Sequence, residues 1–259
     1  MADWNDPRRT GSGVGTTPGI DGRVEERVVF DEGLRKHMLS IYNYMSSGVL
    51  LSGIIAMLFA NSGMAATLFA GGPLMWLVIL SPLAIVFAMS FGRNKFSTFT
   101  LQAMFWAFAA LMGLSLSRIF LLFSLESIGV TFFATSAAFA GLSLWGYTTK
   151  KDISGWGAFL IMGVVGLIVA SLLNMFFFQS PGFHLAVAGI GVLIFAGLTA
   201  YDTQALKREY LAVQHAKMTN PAVAAQFPMG KLVILGALTL YLDFINMFQF
   251  LLSFLGSQE

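Results

Sequence analysis

Apolar residues are concentrated in seven long stretches, which are separated by mostly short polar connections. A helix needs about 20 apolar residues to cross the hydrocarbon core of a bilayer. Each stretch is close to that length, so the pattern predicts seven transmembrane helices. They are Ile41–Ala60, Pro73–Phe91, Phe99–Ser117, Ile128–Tyr147, Trp156–Phe178, Phe183–Leu206 and Leu232–Leu255.

The polar segments outside these stretches complete the predicted organisation. Residues 1–40 are rich in Gly, Asp, Glu and Arg and lack the short apolar core of a cleavable signal peptide. We predict that they form a disordered cytoplasmic arm, and that residues 41–259 form a seven-helix transmembrane domain. The longest connection, from Lys207 to Lys231, contains two prolines and is expected to be a cytoplasmic loop or an interfacial helix.

Composition supports an all-α membrane protein. The chain is 56% apolar and 11% charged, with a mean hydropathy of +0.74, whereas soluble domains are about 45–50% apolar and 25% charged. The net charge of +2 is spread between the spans and does not indicate nucleic-acid binding. With no cysteine and three histidines, disulfides and thiolate metal sites are excluded, and a histidine-rich metal site is not expected.

The basic residues predict the orientation of the chain in the membrane. Fourteen of the fifteen Lys and Arg residues fall on one side of the predicted spans, and Arg118 alone falls on the other. Basic residues accumulate on the cytoplasmic side of membrane proteins. We therefore expect a cytoplasmic N-terminus and, after seven spans, a C-terminus outside.

Two acids lie inside the last two predicted spans, Asp202 and Asp243. A carboxylate within the hydrocarbon costs on the order of 2.5–3.5 kcal/mol on insertion scales, so it should face the protein interior, a partner or water. Alternatives remain open for each acid. Asp202 could be an interfacial residue close to Lys207, and Asp243 could simply bond an amide or hydroxyl of another helix.

Neutral polar side chains within the spans are also few. Asn174 and Asn246 are candidates to support the acids, although such residues more often bond a neighbouring helix. Asn246 follows Asp243 by three residues and shares its helical face. The last helix therefore carries a polar stripe, which predicts that it lies at the centre of the bundle.

The depth of the two acids argues against a simple pairing. Asp243 lies twelve residues beyond Lys231, about 18 Å along a helix, whereas Asp202 lies five residues before Lys207, about 7.5 Å. The two can meet if the last helix tilts or bends, or if the basic end of the sixth helix extends beyond the hydrocarbon. Two carboxyl groups at short range would then titrate as a unit. Their oxygens would also suit a hard cation such as calcium.

Three segments of the sequence resemble the Bax inhibitor-1 family, also called TMBIM proteins, and the likeness covers almost the whole membrane portion. The segments are Gly141-Leu-Ser-Leu-Trp-Gly-Tyr-Thr-Thr-Lys-Lys-Asp-Ile-Ser154, Phe195-Ala-Gly-Leu-Thr-Ala-Tyr-Asp-Thr-Gln204 and Leu240-Tyr-Leu-Asp-Phe-Ile-Asn246.

The resemblance implies a seven-helix bundle with a central last helix. It also implies a pH-sensitive calcium leak, in which an aspartate pair on the last two helices, here Asp202 and Asp243, opens or closes the path. Some members carry a charged residue in the second helix near the pair, but Pro73–Phe91 carries none. The C-terminus also lacks the basic tail of animal members, which favours a bacterial inner-membrane protein.

Three functions follow as hypotheses. The first is a non-enzymatic, pH-sensitive calcium or cation leak that needs no resident cofactor. The second is a regulator or partner of a membrane-bound ATP-dependent protease, because bacterial members of the family are known as such partners. The third is an intramembrane aspartyl protease, which would need two close carboxyl groups. The Gly-x-Gly-Asp motif of such enzymes is absent, because Leu240-Tyr-Leu precedes Asp243.

Overall fold

The computed structural model describes residues 21–219 and 228–256, with side-chain environments from Glu32 onward. The described residues form helices joined by short turns. In chain order they are α1 (Asp21–Asn61), α2 (Met64–Phe69), α3 (Pro73–Gly92), α4 (Thr98–Leu116), α5 (Ile119–Leu122), α6 (Leu125–Thr148), α7 (Trp156–Leu173), continued by a π-helical turn (Asn174–Phe178), α8 (Pro181–Thr219) and α9 (Met229–Leu255).

The prediction of an all-helical membrane protein is confirmed for this part of the chain. Seven of the helical segments are long and apolar enough to cross a membrane. Several begin where local chemistry favours a helix start. Pro73 and Pro181 open α3 and α8, where the missing N–H of proline costs nothing. The side chains of Ser97 and Ser124 cap α4 and α6 by accepting a backbone N–H three residues on.

The first and sixth spans extend further than hydropathy predicts. The first helix begins at Asp21 rather than near Ile41, so residues 21–40, assigned from sequence to a disordered arm, are helical in the structure, while residues 1–20 lie outside the described residues. The sixth helix continues through Lys207 to Thr219, and residues 220–227 of the connection lie outside the description. Hydropathy marks where apolar sequence ends, whereas a charged segment without proline can continue the same helix into water.

Helix α9 is the most buried of the seven spans. About 67% of its most apolar window is buried, against 39% or less for each of the others. It packs against α8, α1, α6 and α4. By contrast, α3 packs chiefly against α4, and α7 packs chiefly against α8. The outer helices therefore present apolar side chains to lipid, while α9 contacts protein on most of its surface.

A buried hydrogen-bonded cluster joins α9 to α1 and α4. The Tyr241 hydroxyl lies 2.7 Å from Ser52 Oγ, which also lies 2.6 Å from the carbonyl oxygen of Ala109. The Tyr241 ring packs edge-on against Phe105 and Phe108. Each of these residues is fully buried. Because a buried polar group is costly unless it is bonded, the cluster fixes how the three helices meet.

The two ends of the bundle differ in charge. One end, called here the basic end, carries most of the described Lys and Arg residues, including Arg35, Arg93, Lys150, Arg208 and Lys231. The opposite end, called the far end, carries Arg118. This asymmetry follows the sequence pattern from which the orientation was predicted.

Candidate functional site: a buried aspartate pair

The acids of the last two spans meet in the structure. Asp202 on α8 and Asp243 on α9 hold their carboxyl groups within hydrogen-bonding range of each other. Asp243 is only 4% exposed, and Asp202 is partly buried. The Oδ2 atom of Asp243 has no hydrogen-bond partner among the described residues. The site is thus a close pair of acids with one unsatisfied oxygen.

The register of α8 against α9 resolves the depth mismatch. The Cα of Gly236 on α9 packs against the Leu206 side chain of α8, in a place where a Cβ would lie 2.9 Å from it. From that level, Asp202 lies four residues deeper along α8, about 6 Å, and Asp243 lies seven residues deeper along α9, about 10 Å. The remaining difference in depth is small enough to be bridged by the lengths of the two side chains and by the angle at which the helices cross.

Lys207 and Lys231, from which the two distances along the helices were counted, lie at different depths. Lys207 follows Leu206 and lies close to the level of Gly236, about one turn deeper than Lys231. Its ammonium donates to the carbonyl oxygen of Tyr147 at 2.8 Å and lies 5.3 Å from the centre of that ring. Tyr147 is in the last turn of α6, where unpaired carbonyls and the helix dipole favour a cation.

A layer of hydroxyl groups lies beside Asp202. Thr203 donates to Ser143 Oγ of α6 at 3.3 Å, and the hydroxyl of Tyr42 on α1 lies within hydrogen-bonding range of both. Thr203 and Ser143 are buried. Three helices therefore supply hydroxyls around Thr203, the residue that follows Asp202. Sequence reasoning missed this layer because Tyr42 is far from the other two along the chain, although Ser143 and Thr203 lie within the segments that carry the family resemblance.

Close packing between α6 and α8 brings this layer together. Gly146 lies directly against the backbone of Ala200, and a Cβ at Gly146 would collide with the Ala200 carbonyl oxygen. Glycine is required here because two helix backbones approach each other closely. Ala200 is two residues before Asp202, so this contact also sets the position of the acid.

The connection between α6 and α7 is tied to α8 one turn from the acid pair. Gln204 accepts the backbone N–H of Ile153 at 3.0 Å and donates to the Lys151 carbonyl at 2.8 Å. Arg208 forms an ion pair with Asp152 at 2.7 Å. Hydrogen bonding from Ser154 and the facing Arg208 guanidinium hold the pKa of the Asp152 carboxyl below its usual range. The ion pair between Asp152 and Arg208 therefore stays charged at neutral pH.

The two asparagines proposed as supporting residues lie in different places. Asn246 is one turn from Asp243, but its Nδ2 donates to the Leu242 carbonyl of its own helix at 2.8 Å. Asn174 lies at the end of the fifth span, where its Oδ1 accepts the backbone N–H of Ser180. Ser180 immediately precedes α8, about 30 Å along that helix from Asp202. Asn174 thus terminates a helix and does not contact the pair.

The surroundings of the pair limit what it can bind. No group of three or more His, Cys, Asp or Glu residues that could hold a metal occurs in the described ranges. Calcium takes 6–8 oxygen ligands, and two carboxylates supply at most four. The pair alone therefore does not supply the full set of oxygen ligands that calcium takes. The described residues also place no ion pair on either acid.

Comparison with known proteins identifies the family. The family model described as inhibitor of apoptosis-promoting Bax1 matches residues 34–259. The chain is 39% identical over 243 residues to the inner membrane protein YbhL of Escherichia coli, covering 93% of this chain and 98% of that one. It is 44% identical over 240 residues to an uncharacterized protein of Caulobacter vibrioides, covering 88% and 91% of the two chains. The resemblance predicted from the three sequence segments is confirmed, and the chain belongs to the Bax inhibitor-1 family of membrane proteins.

Proposed function

We propose that this protein is a pH-sensitive leak for calcium or a similar cation, with no enzymatic activity, and that Asp202 and Asp243 form its gate. The observation that carries the proposal is the close pair of carboxyl groups at the α8–α9 contact inside a membrane bundle. Ionised carboxylates only accept hydrogen bonds. A bond between the two groups therefore requires that they share at least one proton.

Protonation would control how α8 and α9 meet. Two unit charges about 4 Å apart repel by about 4 kcal/mol at an effective dielectric constant of 20. Loss of the shared proton would replace an attractive contact with repulsion of that order. The unsatisfied Oδ2 of Asp243 would be available to a passing cation. The other acids with described side chains on the helices that pack against the pair lie outside the predicted apolar stretches: Glu32 before Ile41, Glu126 before Ile128 and Glu209 beyond Leu206. Lys207 is already held by the Tyr147 carbonyl.

Calcium flux into proteoliposomes across a range of pH tests the proposal. The wild-type protein should show a flux that changes with pH. In D202N and D243N, that pH dependence should be lost, because neither variant can form or break the shared-proton pair. N246A is a matched control on the same helix face, and its pH dependence should be retained. An unchanged pH profile in both Asp variants would remove the pair from the mechanism.

We further propose a bacterial inner-membrane location, with the basic end in the cytoplasm and the C-terminus outside. The charge asymmetry supports this orientation, and similarity to the E. coli inner membrane protein YbhL supports the choice of membrane. Alkaline phosphatase fused after Glu259 should be active, because it folds only outside the cytoplasm. An inactive fusion at that position, together with an active one in the connection between α3 and α4, would reverse the orientation.

A second proposed role is that of a partner or regulator of a membrane-bound ATP-dependent protease. It is favoured by the extension of α8 beyond Lys207, which provides a protein surface at the basic end. Deleting residues 2–20 keeps α1 intact and removes only the polar segment before it. Loss of protease co-purification with normal calcium flux would support this second role. Normal co-purification would show that the protease does not bind through residues 2–20.

A further inference from the structure

A lateral groove of about 500 Å³ opens between α1 and α6 at the basic end of the bundle. Both helices pack on α9, and the groove lies between them on the outside of the bundle. Its volume is within the range of small-molecule sites in proteins, about 300–1,000 Å³. It is separate from the aspartate pair, since neither Asp202 nor Asp243 lines it.

The groove has the height of one bilayer leaflet. On α1 its lining runs from Arg35 to Ser46, eleven residues or about 16 Å along the helix. Half of a typical hydrocarbon core is about 15 Å. Its walls are mainly apolar, with Leu39 on α1 and Ala140 and Leu144 on α6. A single acyl chain of the adjacent leaflet would run along this length.

The basic side chain of the groove, Arg35, lies where a lipid headgroup would lie. Arg35 is at the basic end, is exposed, and forms no ion pair with any residue whose side chain the structure describes. Asn43 is two turns deeper and also exposed, and none of the described residues bonds its side-chain amide. An arginine suits a phosphate oxygen, whereas Asn43, about 12 Å deeper along α1, lies beside the acyl chain.

We propose that this groove binds an anionic phospholipid of the leaflet at the basic end, with the phosphate on Arg35 and one acyl chain between α1 and α6. Tyr147 lines the groove, and Lys207 donates to its carbonyl oxygen. Lys207 therefore adds positive electrostatic potential near the groove. Anionic headgroups are attracted to basic residues near a membrane surface. Tyr42 lines the groove, and its hydroxyl lies within hydrogen-bonding range of Ser143 and Thr203. The bound chain therefore lies one hydroxyl layer away from the acid pair.

Native mass spectrometry of the full-length protein with added phosphatidylglycerol or phosphatidylcholine tests the site. The wild type should retain phosphatidylglycerol in preference to phosphatidylcholine. R35Q should reduce that preference roughly fivefold, the effect of about one basic residue near a membrane surface. A140F should reduce retention of both lipids, because the larger side chain fills the groove.

Two matched controls separate the groove from general lipid contact. K36Q removes the neighbouring charge, which does not line the groove, and should keep the lipid preference. A138F adds the same bulk to α6 about 200° around the helix, at an exposed position outside the groove, and should keep full retention. Three outcomes would overturn the proposal. A138F and A140F could lose lipid equally, or K36Q could have an effect as large as that of R35Q. The third is a groove that retains a co-purifying protein and no lipid. Lipid retention is measured without calcium, so its outcome is independent of the proposed leak.

Discussion

Replacing Asp243 with asparagine should stabilise the protein, although Asp243 is one of the two residues of the proposed gate. Asp243 is buried, and a carboxyl group can bond the Asp202 carboxyl only while a proton is shared between them. A hydrogen bond to a charged group contributes about 1.5–3 kcal/mol. An asparagine at this position carries N–H donors that can bond the Asp202 carboxylate permanently. The carboxyl pair, in contrast, holds together only while it keeps its shared proton.

The expected change follows from these magnitudes. For a chain of this size, 1 kcal/mol shifts the midpoint of thermal unfolding by about 2–4 °C. The apparent midpoint of D243N in detergent, followed by tryptophan fluorescence at one scan rate, should therefore exceed that of the wild type by about 3–12 °C. The gain should be greater at alkaline than at acidic pH, since Asn keeps its donors where the pair loses its proton.

Two further variants make this prediction specific. D243L should be less stable than D243N, because it leaves Asp202 buried beside an apolar side chain. N246A should change the midpoint little, since the Asn246 amide bonds only its own helix. A midpoint for D243N below that of the wild type at every pH would refute the reasoning, since it would mean that Asp243 makes a stabilising contact that Asn cannot reproduce.

The other predictions concern contacts around the pair. Y241F removes the hydroxyl bonded to Ser52 and should lower the free energy of unfolding by about 1 kcal/mol, measured by thermal unfolding with the calcium flux retained. G146L forces a side chain into the backbone of Ala200 and should cost more than 1–3 kcal/mol, the usual cost of overpacking; a folded variant with normal flux would show that this contact is dispensable. The pKa of Asp152 is lowered, so its contribution to stability is present at neutral pH and is lost only as the pH falls through that lowered pKa. D152N should therefore leave the pH profile of the flux between weakly acidic and alkaline pH unchanged.

The spans were predictable because the bilayer imposes a length and an apolar composition on any helix that crosses it. The positions at which the helices end were not predictable in the same way. The segment of α1 before Ile41 contains no proline but is highly charged, so it looks like soluble sequence. The same is true of α8 beyond Lys207, where hydropathy falls although the helix continues.

The candidate site was only partly predictable. Asp202 and Asp243 stood out because a buried charge in a membrane is costly. Their proximity depends on the register of α8 against α9, seen in the packing of Gly236 against Leu206, and the sequence does not reveal that register. Tyr42 joins the site only through tertiary packing. Asn174 was a candidate because it is polar. Its side chain instead accepts the backbone N–H of Ser180, and this contact depends on the turn that follows α7.

The central claim is that the carboxyl groups of Asp202 and Asp243 touch and share a proton inside the membrane. Difference infrared spectroscopy of the protein during a pH titration measures this directly, because a protonated carboxyl has its own C=O stretching band. We predict one such band in the wild type, which shifts or disappears in D202N and again in D243N, since each group determines the environment of the other. A band in D202N identical to that of the wild type would show that Asp243 does not sense Asp202, and would contradict the account.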